Sequence, residues 1–243
     1  MKINKFLLLI AMALINSFSH AQKTVYDANA QVRDIGTFTG VTVSSAIDLY
    51  ISMGTEAVVA VSASEKSYLE MITTEVKNGM LYIGFNGKGL SWSPKNLKAY
   101  VSVRTITKLK ASGACNVYVD GSLNAPDLEL ELSGASDFKG EVNAQNLRLD
   151  ASGSSDYTIS GKVVNAKIRV SGSSDVKGFE LVTENCNVEA SGSSDVHIAV
   201  TKQLKVDASG SSDVIYKGEP AVKEVRSSGS SDIRNAGGNK TSN

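Results

Sequence analysis

The chain has 243 residues, with 25 Lys and Arg against 25 Asp and Glu. That balance supplies no basic face for nucleic acid. Three prolines and no low-complexity linker leave nothing to divide the chain, so its length suits one solenoid or one large β domain.

Residues 1–21 read as a secretory signal peptide. Lys2 and Lys5 form the basic start, Phe6 to Ile15 is an unbroken apolar run, and Ser19-His20-Ala21 is a small-x-small cleavage site before Gln22. The apolar run is shorter than the ~20 residues a membrane-spanning helix needs, and no later stretch is apolar enough to span. Removal of this segment leaves 23 basic against 25 acidic residues. Residues 22–37 form a leader to the domain expected over 38–234.

Residues 38–110 are β-rich but irregular. Val41 to Ile51 reads as a diverged first rung, with Ser44-Ser45-Ala46-Ile47-Asp48 in the place of the repeat motif described below. Ser64 to Ile72 is a short helical turn with Ser64 as N-cap. Asn78-Gly79 marks a hairpin turn between Thr73–Val76 and Met80–Ile83, and Leu97 to Val103 is a further strand. This part is expected to cap the N-terminal end of the solenoid. The loop Gly87 to Pro94 carries Trp92, placed either to stack on a sugar or to lie half-buried over the cap.

From residue 111 to 234 one pentapeptide dominates. Ser-Gly-Ala-Cys-Asn at Ser112 and Ser-Gly-Ala-Ser-Asp at Ser133 are followed by Ser-Gly-Ser-Ser-Asp at Ser152, Ser171, Ser191, Ser209 and Ser228. The spacings of 21, 19, 19, 20, 18 and 19 residues set a period near that of known solenoid repeats. Before each motif, apolar residues alternate with polar ones (Leu147, Leu149, Ala151). After it they alternate again (Tyr157, Ile159; Val196, Ile198; Val214, Tyr216). This is the period of a half-buried strand. Two main strands and two or three corners per rung, repeated in the same order, predict an all-β, single-stranded, right-handed parallel β-helix with rungs of about 19 residues.

In that register the motif glycines occupy one corner, where φ > 0 or close packing is needed. Ser155, Ser174, Ser194, Ser212 and Ser231 point inward. Asp137, Asp156, Asp175, Asp195, Asp213 and Asp232 point outward as a ladder with a ~4.8 Å step. Such a ladder either caps the turns by accepting backbone N–H bonds or gathers calcium; Asn116 supplies the first copy without a charge. The same register puts Cys115 and Cys186 in different columns about four rungs apart, roughly 19 Å, which excludes a disulfide between them. The polar residues 235–243 are expected to fray.

The first rung, the stretch Val76 to Ile83, the repeated Ser-Gly-Ser-Ser-Asp and the run Tyr216-Lys217-Gly218-Glu219-Pro220 together resemble the GIN domain family of auto-transporter adhesin heads, typical of Bacteroides-type bacteria. The resemblance covers about Phe38 to Arg234. It implies an exported β-helical protein with no assigned catalytic residues.

The residues themselves point the same way. One histidine, His197, remains after export, on an outer face and read as solvated. It faces many equivalent serines, which is no nucleophile–base pair. No His/Cys cluster has zinc spacing, no Gly-rich run cradles a phosphate, and no cofactor is expected. The carboxylates repeat identically, whereas an active site breaks the symmetry of its scaffold. The expected function is therefore binding of a glycan or a protein through the repeat faces, at the cell surface, in the periplasm or outside the cell. The alternative is an envelope-associated scaffold, and a polysaccharide-active enzyme is the weakest reading.

Overall fold

In the computed structural model, residues 27–87 and 96–237 are described. The signal peptide and Trp92 lie outside them. The described chain contains sixteen strands and one short helix. These are β1 (Gln31–Arg33), β2 (Gly40–Val43), β3 (Asp48–Met53), β4 (Val58–Ser62), α1 (Lys66–Met71), β5 (Ile72–Lys77), β6 (Met80–Phe85), β7 (Lys98–Val103), β8 (Lys108–Ala111), β9 (Asn116–Leu132), β10 (Asp137–Ala151), β11 (Asp156–Val170), β12 (Asp175–Ala190), β13 (Asp195–Ala208), β14 (Asp213–Lys217), β15 (Val222–Ser227) and β16 (Asp232–Asn235).

From β8 to β16 every pairing is parallel, with Asp137 opposite Asp156, Leu149 opposite Ile168, and Val188 opposite Val206. The chain is thus a parallel β-solenoid whose rungs match the repeat. The alternation of apolar and polar residues makes the two sides of each strand unlike. The inner side supplies columns such as Leu130, Leu149, Ile168, Val188 and Val206, or Val117, Phe138, Tyr157, Val176, Val196 and Val214, all buried. At about 25 cal/mol per Å² of apolar surface removed from water, these columns are the main source of stability.

One detail departs from the sequence reading. Of the two or three corners expected per rung, the one after the motif, at Ser160-Gly161-Lys162 in β11, does not end a strand: the ladder runs through it, where Gly161 has φ +118°. Each of β9 to β13 is therefore one long bent strand, interrupted only at the motif.

The motif corner is held by backbone. All seven motif glycines have φ between +73° and +89°. The Ser173 N–H donates to the Gly153 carbonyl at 2.8 Å, and the same bond recurs up the column. From Gly134 onward, a Cβ on a motif glycine would press onto the carbonyl oxygen of the glycine one rung below. Beneath the corner, Ser136, Ser155, Ser174, Ser194 and Ser212 are fully buried, and Ser231 on the last rung is half-buried. Ser155 Oγ donates to the Ser152 carbonyl at 3.0 Å and accepts the Ser136 N–H at 3.4 Å. Cys115 fills this place in the first copy, its thiol 3.3 Å from the Ser112 carbonyl oxygen. Both cysteines are buried and unpaired.

The N-terminal part does begin with a rung. The β2–β3 corner stacks directly under the β8–β9 corner, with Val43 opposite Ala111. The chain between them makes an excursion. It supplies β6 and β7 as a further parallel row below β2 and β3, with β5 antiparallel on β6 and β4 antiparallel on β7; β1, which precedes β2, adds antiparallel to β4. Antiparallel strands with α1 thus close this end, as the sequence implied. The helix is capped by Glu65 with no side-chain cap bond, instead of by Ser64.

Candidate binding face

Outward side chains form columns on two main faces, and the two differ in chemistry. On the strand preceding the motif the columns are charged and mutually paired. Lys108 meets Glu129 at 2.8 Å, Lys110 meets Glu131 at 2.6 Å, Arg148 meets Asp150 at 2.7 Å and Arg169 meets Glu189 at 2.8 Å. The Arg169 hydrogen bond, seconded by Lys167, holds the Glu189 carboxyl below its ordinary range. A face whose charges satisfy one another has little left to offer a ligand.

Below that face runs a ladder that sequence reasoning missed. Asn146 donates to Asp127 at 2.7 Å, Asn165 to Asn146 at 2.9 Å, and Asn185 to Asn165 at 2.9 Å. The signal was present: Asp127, Asn146, Asn165 and Asn185 each stand seven residues before a motif glycine. The ladder rivets the rungs together, consuming side-chain amides rather than presenting them.

The strand following the motif carries the expected Asp ladder. Asp137, Asp156, Asp175, Asp195, Asp213 and Asp232 stand in register. Asp156 Oδ1 accepts the Asp175 N–H at 3.2 Å, Asp175 Oδ1 the Asp195 N–H at 3.3 Å, and Asp213 Oδ1 the Asp232 N–H at 3.3 Å. Asp156, Asp175 and Asp213 thus each engage one carboxylate oxygen on the next rung, and Lys177 Nζ lies 3.4 Å from the other oxygen of Asp156. At the first rungs, Asn116 Nδ2 donates to Asp48 at 2.8 Å. Among the described residues no three His, Cys, Asp or Glu side chains converge on a point where a metal ion would sit.

Two residues further on, the same face carries a column of different character. Tyr100, Tyr50 and Tyr118 stand in successive rungs, with ring centroids 5.2 and 5.1 Å apart and planes 24° from parallel. Tyr100 donates its hydroxyl to Asp27 at 2.8 Å. Burial and the Asp27 contact push the Tyr100 phenol far up; burial, with Asp48 nearby, raises Tyr50 and Tyr118. For Asp27, burial works against ionisation, but the hydrogen bonds from Tyr100 and Asn29 outweigh it and hold the carboxyl low. All three phenols therefore stay protonated and able to donate.

Tyr118 ends the stack, so one of its faces has no aromatic neighbour. The column continues with Lys139, Thr158, Lys177 and His197. A β-bulge in β12 sets Gly178 and Phe179 against the single Ile159 of β11, turning Phe179 outward. Phe179 stacks on His197, centroids 4.7 Å apart and planes 8° from parallel, with Lys217 Nζ 4.4 Å from the Phe179 centroid. His197 is thus half-buried in an aromatic and cationic sandwich rather than free in solvent.

Tyr118 at one end and Phe179 with His197 at the other enclose a shallow groove of about 560 Å³, floored by Lys139, Thr158 and Lys177. Three rungs separate its aromatic ends, roughly 14 Å. Glu141 and Glu180 line it as well, so cations and carboxylates are matched. Of the groove residues, sequence reasoning placed Thr158, Ile159, Ser160 and His197, none of them as part of a binding site. Tyr50 and Tyr118 were discoverable, each five residues after Ser45 or Gly113. Tyr100 comes from the excursion and Phe179 from the bulge, which no repeat count reveals.

A family model described as "Putative auto-transporter adhesin, head GIN domain" matches residues 37–220. The chain belongs to this family. Among solved structures, a "putative adhesin" from Bacteroides fragilis is similar with a TM-score of 0.80 at 17% identity, covering 85% of this chain and 95% of its own. A "putative adhesin" from Parabacteroides distasonis has a TM-score of 0.69 at 19% identity, covering 85% and 96%. A "putative lipid binding protein" from the same species has a TM-score of 0.61 at 20% identity, covering 86% and 98%. Likeness at such identity establishes the shared solenoid fold. No curated protein matches the chain. Among the described residues no helix is long and apolar enough to cross a membrane.

Proposed function

We propose that this GIN-domain protein is an exported, non-enzymatic adhesin that holds a short segment of an uncharged glycan in the groove between Tyr118 and Phe179. The carrying observation is that groove: aromatic rings at both ends, with a polar floor of matched charge. A sugar ring has apolar C–H faces and a rim of hydroxyls that both donate and accept. The edge of Tyr118 that lines the groove suits the first, and Lys139, Thr158, Lys177, Glu141 and Glu180 suit the second. The rungs fix these groups before binding, so little side-chain entropy is lost on capture. The spacing of the aromatic ends fits two or three sugar units. Export rests on the signal peptide of residues 1–21, and Trp92 is a further stacking residue in this reading.

The test is a glycan array probed with the mature protein and with Tyr118→Ala and Phe179→Ala variants. Binding of neutral glycans that falls at least tenfold in either variant is the expected result. Binding unchanged in both variants places the site elsewhere. No binding to any glycan, with retained cell-envelope association, would favour the scaffold reading. Turnover of any bound glycan would overturn the non-enzymatic assignment.

A further inference from the structure

The two ends of the solenoid are unlike. Antiparallel strands close the N-terminal end, whereas β15 and β16 form the last rung, and no described residue pairs with their outer edge. All of β15 is exposed; Val222 is 48% and Val225 44% accessible, although Val225 continues the core column of Val206. Lys223 lies over the Tyr216 ring and donates to its hydroxyl at 3.1 Å, covering only part of the core's end. An unpaired edge over an open core invites another strand.

We propose that two copies of this chain join end to end through this rung, β15 of each copy pairing antiparallel with β16 of the other about a two-fold axis at Gly229. The register follows from the backbone. The amides of Ser228 and Asp232 donate back to Ala208 and Ser212. Amide direction alternates along a strand, so Lys223, Val225 and Ser227, and likewise Ile233 and Asn235, turn their N–H and C=O groups to the open edge. Only registers that set these residues opposite one another can form bonds.

Among the neighbouring allowed registers one alone is complementary. It places Val225 against Ile233 and Lys223 against Asn235 as hydrogen-bonded pairs. It also sets Arg226 against Asp232 and Glu224 against Arg234 as the closer, non-hydrogen-bonded pairs. A shift of one step either way sets Arg226 against Arg234, or Glu224 against Asp232. Val225 and Ile233 both stand in core columns, beside Val206 and Val214, so the pairing also joins the two cores. The symmetry makes each contact occur twice. The inference is independent of the glycan reading; if both hold, each dimer carries two binding grooves and gains avidity.

The mature protein should sediment as a concentration-dependent dimer in analytical ultracentrifugation over about 1–500 µM. Arg226→Asp sets like charges face to face and raises the dimer dissociation constant at least tenfold, while Arg226→Asp with Asp232→Arg restores it. Circular dichroism confirms that each variant is folded, and amide exchange at Val225 and Ile233 slows on dimerisation. A monomer throughout the range overturns the proposal, including one whose Val225 amide is already protected by its own C-terminal residues. So does a dimer indifferent to Arg226→Asp.

Discussion

Replacing Gly172 by alanine should unseat a rung from the middle of the stack. Gly172 has φ +81°, and an alanine methyl there would press onto the Gly153 carbonyl oxygen and lie 3.1 Å from the Gly153 nitrogen. The left-handed conformation alone costs an L-residue ~1–2 kcal/mol. Relieving the contact means lifting rung from rung, which weakens the 2.8 Å Ser173–Gly153 bond and its neighbours, each worth ~1 kcal/mol. The total is about 3–5 kcal/mol, a large part of a domain's usual stability. Gly121 is the matched control: its φ is +77°, but nothing lies within 4 Å of a Cβ there. Gly121→Ala therefore isolates the conformational cost, and Gly172→Ala should lose ~2–4 kcal/mol more. Gly229→Ala, on the last rung, disturbs one interface instead of two and should fall between them. Guanidinium unfolding with a common slope provides the measurement. If Gly172→Ala and Gly121→Ala prove equally stable to within ~0.5 kcal/mol, stacking is not what the motif glycine serves.

The buried hydroxyl column makes a second expectation. Ser155→Ala removes an acceptor from the Ser136 N–H and a donor to the Ser152 carbonyl, costing ~1–3 kcal/mol. Ser155→Cys should cost less, since Cys115 occupies the same place in the first copy; equal losses in denaturant melts would refute the role assigned to the hydroxyl. Burial pushes the Cys186 thiol up to about 12 and raises Cys115 as well. A raised value leaves both protonated below it, so a thiol reagent at pH 8 should label neither cysteine in the native protein and both after unfolding; rapid native labelling would contradict the burial. Three of the five steps of the Asp ladder spend a carboxylate oxygen on a backbone amide, so calorimetric titration with millimolar calcium should give no heat, and a saturable signal would show that it gathers metal.

The period, the inward and outward alternation, the glycine corner and the unpaired cysteines follow from the sequence alone. Each is a local rule repeated: a side chain's direction depends on its place in the strand, and stacking sets like upon like. The binding groove does not follow this way. The tyrosine stack that ends at its wall comes from rungs that are neighbours in space but not in sequence, as with Tyr50 and Tyr118, 68 residues apart and stacked at 5.1 Å. The long excursion that inserts Tyr100 and closes one end, and the bulge that turns Phe179 outward, break the repeat. Departures from a period carry no periodic signal, and only the packing of one rung on the next decides where they meet.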